Sequence, residues 1–191
     1  MDLISIFSAF GLSASAGLNA YIPLIVVALL AKFTNLINLQ SPWDTLTSWW
    51  IIALLGVLAL IELFADSTPA VNHINDIIQT FVRPAAGAIA FAASAQVITD
   101  VHPILSLALG LLVSGSVHAT KALAVRPAVT AATGGAANLP VAMLEDFTST
   151  VVSIISIVLP VFIALIFVLI TIILIIRMLK HYEKEYSADD Y

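Results

Sequence analysis

Residues 161–176 read VFIALIFVLITIILII, a run in which only Ala164 and Thr171 differ from Val, Ile, Leu and Phe. The strands of a membrane β-barrel alternate in short pieces, whereas this run is unbroken. A helix needs roughly 20 residues to cross the hydrocarbon of a bilayer, and the surrounding apolar segment extends from about Val151 to Arg177. The run therefore indicates a transmembrane helix and an all-α membrane fold.

Five further apolar segments come before this one, at about 3–31, 49–65, 84–99, 103–120 and 127–144. Of the 191 residues, 61% are hydrophobic and 10% are charged, whereas a soluble domain is typically about a quarter charged. Six helices and their loops leave no length for a soluble domain. We therefore predict one transmembrane domain of about six helices over residues 1–182 and an acidic, disordered cytoplasmic tail over residues 183–191.

The first predicted span contains an interruption, Gly11–Asn19, which is followed by Pro23. Non-helical backbone persists in a membrane only inside protein or beside a water-filled cavity, and broken helices build the solute sites of many carriers. The alternative is close helix packing, because Gly11, Ser15, Asn19 and Pro23 recur every four residues as one small, polar stripe.

The fifth predicted span contains a second interruption, Thr133–Asn138, which is followed by Pro140. Asn138 would cap a restarted helix, whose free N–H groups suit an anion, while unwound carbonyls would suit a cation. The alternative is that residues 127–147 re-enter the membrane, which would leave five spans. Six spans place both termini and all basic residues except Lys32 in the cytoplasm, and the positive-inside rule prefers that arrangement.

Glu62 and Asp66 lie four residues apart near the end of the second span, so both carboxylates project from one helix face. Such a pair could coordinate a hard cation or share a proton. Alternatively, Asp66 lies at the lipid head groups and Glu62 reaches water one turn deeper. An acidic side chain within a span costs about 2.5–3.5 kcal/mol at mid-bilayer, so we expect Glu62 to have a partner.

The segment between spans two and three has an amphipathic pattern. Its apolar positions recur at helical spacing: Val71, Ile74, Ile78 and Phe81. Another face carries a polar stripe: His73, Asp76, Thr80 and Arg83. We predict a helix that lies along the membrane surface or against the bundle and ends at Arg83-Pro84. If Arg83 pairs with Glu62 or Asp66, the polar stripe would attach this helix to the bundle. The alternative role is a proton relay or a gate, in which His73 titrates near neutral pH.

A basic group lies at the junction of spans four and five: His118, Lys121 and Arg126. The helix dipole and the membrane topology alone would explain cations there. The alternative is a site for a phosphate or carboxylate, such as a lipid head group. Glu145-Asp146, which closes the fifth span, points to two different helix faces, and we interpret it as the start of a solvated loop. The alternative is an entry site for cations.

Composition and motifs exclude several kinds of function. The sequence has no cysteine, which excludes disulfides and thiolate metal sites, and its seven Lys and Arg residues form no basic run for nucleic acid. No nucleophile–base spacing, zincin pattern or phosphate loop occurs, so we expect neither an enzyme nor a cofactor. The expected partners are membrane lipids, a small ion or solute, and a second copy in a homodimer.

Several segments occur together in a recognisable order: residues 16–24 (AGLNAYIPL), Ala65-Asp66, residues 83–88 (RPAAGA), Asn138 with Pro140, and Glu145-Asp146. In this order the chain resembles an uncharacterised bacterial membrane family, the domain of unknown function DUF4126. The resemblance covers most of the chain up to about residue 150, although Leu139 separates Asn138 from Pro140. It implies a bacterial membrane, for which we predict the inner membrane, and it brings no activity.

We predict a small secondary carrier that moves an ion or a small solute, with proton coupling as one form of the mechanism. The pathway residues would be Asn19, Glu62, Asp66, His73, Asp76, Arg83 and Asn138. If a metal cation is bound, Glu62 and Asp66 would hold it, and an anion or head group would contact His118, Lys121 and Arg126. The alternatives are a lipid-handling protein, which would have a groove open to lipid, and a tightly packed structural or assembly protein.

Overall fold

The computed structural model of the chain describes residues 3–67, 69–95, 102–160, 162, 165–166, 168–173 and 175–177, without the side chains of residues 3–5, 67 and 69–73. Every regular element in these ranges is helical, which confirms the all-α prediction. The helices are α1 (Leu3–Leu18), α2 (Ile22–Phe33), α3 (Trp49–Ser67), α4 (Pro69–Ala95), α5 (Pro103–Thr120), α6 (Arg126–Thr133) and α7 (Asn138–Val158). A 3₁₀ turn over Trp43–Thr47 precedes α3, and a π-helical turn over Lys121–Val125 joins α5 to α6.

Among the described residues, four helical segments are long and apolar enough to cross a membrane: Trp49–Asp66, Ile74–Ala95, Pro103–Thr133 and Asn138–Val158. This length and composition indicate an integral membrane protein. Residues 168–173 and 175–177 are also helical, whereas the predicted tail over 183–191 lies outside the described residues. A total of six crossings stays a prediction.

Contacts between neighbouring helices establish the direction of α3, α4 and α5. Glu62 contacts Arg83, whereas Asp66, one turn later in α3, contacts Asn75, which comes earlier in α4. α3 and α4 are therefore antiparallel. α4 and α5 are antiparallel as well, because Thr80 contacts His118 near the end of α5 while Gly87 lies against Gly110 in its middle.

The direction of α1 and α2 differs from the sequence prediction. Ser13 donates to the carbonyl of Gly110 and the carbonyl of Leu18 accepts from Lys121, so α1 runs parallel to α5 and hence to α3. α2 ends where α3 begins, with the ring of Phe33 against Trp49, and so runs the opposite way. We describe α1 and α2 as a helical hairpin with its tip at residues 19–21. This corrects the prediction of one interrupted span over 3–31, and Gly11 and Ser15 remain helical.

The surface of the bundle is apolar and its interior is made of small and polar residues. Trp50, Phe64 and Phe81 are among the most exposed side chains. The buried residues of α1, α4, α5 and α7 are mostly alanine and serine: Ala9, Ser13, Ser15, Ala16, Ala86, Ala90, Ala92, Ser106, Ser114, Ser149 and Ser153. Membrane helices gain no hydrophobic free energy by associating, because lipid tails are as apolar as their side chains. Small residues allow them to approach closely and to associate through van der Waals contacts instead. Of the predicted small, polar stripe, Ser15 packs closely and hydrogen-bonds to Ser149 and Ser153 of α7, whereas Asn19 lies at the hairpin tip and Pro23 belongs to α2.

Two predicted helix ends are absent. The predicted surface helix does not stop at Arg83-Pro84, because α4 continues through Pro84 as one helix of 27 residues. Its polar positions Asn75 and Gln79 are buried and Phe81 is exposed, so the polar face lies against the bundle. The loop predicted at Glu145-Asp146 is also absent, since these residues lie inside α7. Each loop would have exposed backbone polar groups that a helix satisfies internally.

The second predicted interruption lies at residues 134–137, a turn between α6 and α7. Gly134 and Gly135 have φ of 61° and 90°, a left-handed backbone that other residues rarely adopt. The turn follows a continuous helical segment, Pro103–Thr133, and precedes another, Asn138–Val158. It therefore connects two long helices, and no separate span occupies 127–144.

Candidate functional site

Most of the described charged residues meet in one buried group, which we call the charge cluster. Its members are Glu62 and Asp66 of α3, Asp76 and Arg83 of α4, Lys121 of the π turn, Arg126 of α6 and Glu145 of α7. All of them except Asp76 are less than one-tenth exposed. The ion pairs thus join all four of the long apolar segments described above, in a bundle whose outer surface is apolar.

Arg83 lies at one end of the cluster and is fully buried. Its Nε and Nη2 donate to Oε1 of Glu62 at 3.0 and 2.6 Å, and Nη2 also lies 3.3 Å from Oδ2 of Asp66. Nη1 lies 3.2 Å from Nδ1 of His118. A guanidinium can only donate, so Nδ1 accepts and the hydrogen of a neutral His118 resides on Nε2, which donates to Thr80 Oγ1 at 3.2 Å. The predicted pairing of Arg83 with Glu62 or Asp66 is present, and it involves both carboxylates.

Asp66 lies at the centre of the cluster. Its Oδ2 accepts from Arg126 in a very short contact and lies 3.3 Å from Arg83 and 3.5 Å from Lys121. Its Oδ1 accepts from Asn75 at 2.7 Å. Both oxygens of Asp66 therefore accept from protein donors. Within the described chain, no three His, Asp or Glu side chains are arranged to hold a metal ion.

Glu145 completes the cluster from α7. Its Oε2 lies 2.6 Å from Lys121 Nζ and 3.0 Å from Arg126 Nη2. The prediction of a solvated loop start at this position is therefore wrong. The neighbouring Asp146 points elsewhere, as the sequence indicated, and accepts from Asn19 at 2.9 Å.

The π turn brings Lys121 and Arg126 to one face. Residues five apart in a regular α-helix point about 140° apart, but the N–H of Arg126 donates to the carbonyl of Lys121, which widens the turn. Both cations consequently contact Asp66 and Glu145. π-helical turns inside α-helices occur frequently at functional sites.

The tip of the α1–α2 hairpin meets the cluster at Lys121. The carbonyl of Leu18, at the end of α1, accepts from Lys121 Nζ at 2.9 Å. Oδ1 of Asn19 accepts from the backbone N–H groups of Tyr21 and Ile22 at 2.9 and 3.0 Å. Backbone groups freed by the chain reversal are thus satisfied by protein side chains, as non-helical backbone in a membrane requires.

A groove of about 450 Å³ lies beside the cluster, between α1, α5 and α7. Its walls are mainly apolar: Leu18, Val117, Thr120, Val125, Val141, Leu144 and Thr148. Lys121 and Glu145, which pair with each other, supply the charged part of the lining. A molecule in this groove would contact apolar side chains and one ion pair of the cluster.

The model of one protein family, described as a domain of unknown function (DUF4126), matches residues 6–181. The chain belongs to the DUF4126 family. Comparison with curated proteins found no match, and neither did comparison with solved structures. The family description names no activity, so the function has to be argued from the geometry of the site.

In this DUF4126 protein, most predicted site residues come together. Glu62, Asp66, Asp76, Arg83, Lys121 and Arg126 belong to the cluster, His118 contacts it through Arg83, and Asn19 borders it through the hairpin tip. The side chain of His73 lies outside the described residues. Since Lys121 and Arg126 already pair with carboxylates, the cations are less available to a lipid head group than the sequence suggested.

Asn138 is the predicted site residue that lies apart. It begins α7, but Ala137 is the N-cap residue and Asn138 does not cap the helix. Its Oδ1 instead accepts from Thr130 at 3.3 Å. With Arg126, Val129 and Val141 it lines a cavity of about 10 Å³, which is near the size of one water molecule.

The sequence did not indicate that Asn75 and Gln79 belong to the site, nor that Glu145 forms ion pairs in it. Asn75, Gln79 and Arg83 recur every four residues along one face of α4, and all three are buried. A polar face with that spacing opposite Ile74, Ile78 and Phe81 is a signal for a helix whose polar side faces protein and whose apolar side faces lipid. No comparable local signal exists for Glu145, because its partners are distant in sequence.

Proposed function

We propose that this protein is a small secondary transporter that moves a solute across the membrane and couples that movement to a proton or another monovalent cation. The observation that carries the proposal is the charge cluster itself. Ionisable residues within membrane segments are costly and generally mark ion pathways, proton relays or substrate sites. Replacing a buried ion network by apolar residues is often neutral or stabilising, so stability alone gives little reason for seven charged side chains.

The chain reversal at the cluster supports the proposal. The α1–α2 hairpin brings a helix C-terminus to Lys121, and discontinuous helices whose ends meet charged groups are typical of the solute sites of carriers. The groove between α1, α5 and α7 reaches Lys121 and Glu145 from the side. A solute with an apolar body and a polar group would fit this lining, and its polar group would compete for the ion pair that joins the two segments.

Flux through reconstituted protein tests this function. The protein is placed in liposomes that enclose a pH-sensitive dye, a membrane potential or a sodium gradient is imposed, and proton movement and sodium uptake are recorded. We expect protein-dependent flux that the Glu62→Gln variant loses while it remains folded. Asp44→Asn, which alters an exposed carboxylate in the 3₁₀ turn, is the matched control and should retain flux. Full flux in folded Glu62→Gln would refute the role of the cluster.

A lipid-handling function is the second candidate, and the apolar walls of the groove favour it. Thr148→Trp would fill the groove from α7, whereas Leu139→Trp would place the same ring on an exposed part of α7 outside it. If lipids retained on the purified protein, measured by native mass spectrometry, fall only for Thr148→Trp while ion flux is unchanged, lipid handling is the better assignment. Loss of flux with unchanged lipid retention supports transport.

We also propose that the protein resides in a bacterial inner membrane as a homodimer with its C-terminus in the cytoplasm. A second copy would enclose the groove, which a chain of 191 residues leaves open at its side. The α1–α2 hairpin changes the side expected for the N-terminus, because it places the start of α1 at the end of the bundle that holds Lys32, opposite Arg83, Lys121 and Arg126. The positive-inside rule favours the cytoplasm for those three cations and hence the outer side for the N-terminus. Four crossings after the hairpin bring Val158 to that outer side, so a cytoplasmic C-terminus requires that the apolar run 161–176 crosses.

A further inference from the structure

Two buried oxygen atoms near the tip of the hairpin have no hydrogen-bond donor among the described residues: Oε2 of Glu62 and Oε1 of Gln79. Both side chains are 2% exposed. A buried acceptor without a donor is expensive, and such atoms in a native structure call for an explanation such as a bound ion or water. The other oxygen of Glu62 is already occupied by Arg83.

The residues that carry the two unpaired oxygens, Glu62 and Gln79, lie in the same part of the bundle. Gln79 precedes Arg83 by one turn on the buried face of α4, and Arg83 grips Glu62 of α3. Tyr21, at the tip of the α1–α2 hairpin, lies near both Gln79 and Glu62. Three elements therefore converge on a place that offers oxygen acceptors.

The charges around this place favour a cation. Among the residues whose side chains the structure describes, the four carboxylates of the cluster, those of Glu62, Asp66, Asp76 and Glu145, face three cations, those of Arg83, Lys121 and Arg126. Asp146, which accepts from Asn19, adds a further carboxylate near Lys121. His118 is neutral in the hydrogen bonds described above and supplies no fourth positive charge. An excess of negative charge in a medium of low dielectric constant is unfavourable. A bound monovalent cation would reduce that excess.

Glu62 is the best placed of the four carboxylates to hold that cation. Both oxygens of Asp66 accept from protein donors, and Glu145 pairs with two cations. Oδ1 of Asp76 is also buried without a hydrogen-bond donor, but Arg126 Nη1 lies 3.7 Å from it and the side chain is 21% exposed. The charged groups that face Glu62 are Arg83 from α4, Lys121 from the π turn and Asp66 from its own helix, and none of them occupies Oε2.

We propose that Glu62 Oε2 and Gln79 Oε1 form a binding site for one monovalent cation, either Na⁺ coordinated by both oxygens or a proton carried by Glu62 and shared with Gln79. In the proton form, the carboxyl O–H would donate to the amide oxygen, and both orphan acceptors would be satisfied. Oxygen ligands suit a hard cation equally well. The site deepens the transport function proposed above, since it would hold the coupling ion.

Binding can be measured on the purified protein in detergent without any transport. The melting temperature is followed while NaCl replaces choline chloride at constant ionic strength. For the Na⁺ form, we expect a rise in wild type that is absent in Glu62→Gln, and an apparent affinity weakened by about tenfold or more in Gln79→Leu, which removes one ligand and retains every ion pair. Asp44→Asn should behave as wild type.

The proton form predicts a different result. Na⁺ would have no effect, and infrared difference spectra between high and low pH would contain the band of a protonated carboxyl group that disappears in Glu62→Gln and shifts in Gln79→Leu. If Glu62→Gln fails to fold, Gln79→Leu alone decides the matter. The proposal is overturned if neither Na⁺ nor pH produces a signal that these variants alter. That result would overturn the cation site, and the flux assay would still decide whether the protein transports a solute. If binding is intact but flux is absent, the transport function is rejected and the cation site stands.

Discussion

At the scale of single residues, the guanidinium of Arg83 is fully buried, and its charge is compensated by its neighbours. It contacts Glu62, Asp66 and His118. Removing one member of a buried ion network generally costs about 3–5 kcal/mol, since the partner charge is left uncompensated. We expect Arg83→Met to lower the free energy of unfolding by about that amount. Denaturation in mixed detergent micelles by increasing SDS measures the change.

The double variant Arg83→Met with Glu62→Leu is the control for this prediction. It removes the carboxylate that Arg83→Met leaves without its main partner, so it should be more stable than Arg83→Met alone. If the two losses simply add, the destabilisation would come from altered packing and the charge argument for Arg83 would be wrong.

Asp66 and Asp76 provide a matched pair of carboxylates in the same cluster. Asp66 contacts Arg83, Lys121 and Arg126, whereas Asp76 lies 3.7 Å from Arg126, its one cationic partner among the described side chains, and is 21% exposed. We expect Asp66→Asn to cost about 3–5 kcal/mol of unfolding free energy and Asp76→Asn about 1 kcal/mol or less. Equal losses in the same SDS titration would contradict the central position of Asp66.

At the scale of helices, the closest approach of α4 and α5 is made by glycines. A Cβ at Gly110 would lie 2.5 Å from the backbone oxygen of Gly87 and 2.7 Å from Cα of Ala88. These are backbone atoms, so the helices themselves would have to separate. We expect Gly110→Ala to cost about 1–3 kcal/mol, the usual range for overpacking, measured as above.

Gly56→Ala is the control for the α4–α5 contact. A Cβ at Gly56 would meet nothing within 4 Å, and alanine favours a helix over glycine by about 1 kcal/mol. Gly56→Ala should therefore be neutral or stabilising. A stability loss of similar size in both variants would contradict the close approach at Gly110 as the cause, because a Cβ at Gly56 meets no neighbour.

The helix-forming segments could be predicted from the sequence, whereas their ends and connections could not be predicted in several places. Pro84 usually signals a helix end, but a loop at that depth would leave backbone groups unsatisfied, so α4 continues. Local patterns also indicated that Arg83 pairs with Glu62 or Asp66, because a long cation and two carboxylates lie on successive helices.

The contribution of Glu145 could not be predicted for a different reason. Its partners Lys121 and Arg126 lie about 20 residues earlier, across a turn whose position depends on Gly134. The π turn that orients Arg126 forms because a backbone hydrogen bond spans five residues instead of four. The spacing of apolar residues in the sequence does not indicate where such a turn occurs. Such features depend on tertiary packing, which a pattern of apolar residues does not specify.

At the scale of the whole molecule, the α1–α2 hairpin determines which segments lie on the same side of the membrane. The start of α1, the end of α2 and the 3₁₀ turn lie at one end of the bundle, where Lys32 contacts Thr47. The turn between α6 and α7 lies at the other end. One interrupted span would instead place the start of α1 opposite Lys32, so the two arrangements differ in a property that can be measured.

Single cysteines provide the measurement, because the chain contains no cysteine of its own. We expect Asp2→Cys, ahead of α1, and Thr45→Cys, in the exposed 3₁₀ turn, to react with a membrane-impermeant maleimide from the same side. Ala136→Cys, exposed in the turn between α6 and α7, should react only from the opposite side. Reaction of Asp2→Cys and Thr45→Cys from opposite sides would mean that α1 and α2 cross the membrane as one interrupted span. The hairpin, and with it the chain reversal at Lys121 that supports the transport proposal, would then be wrong.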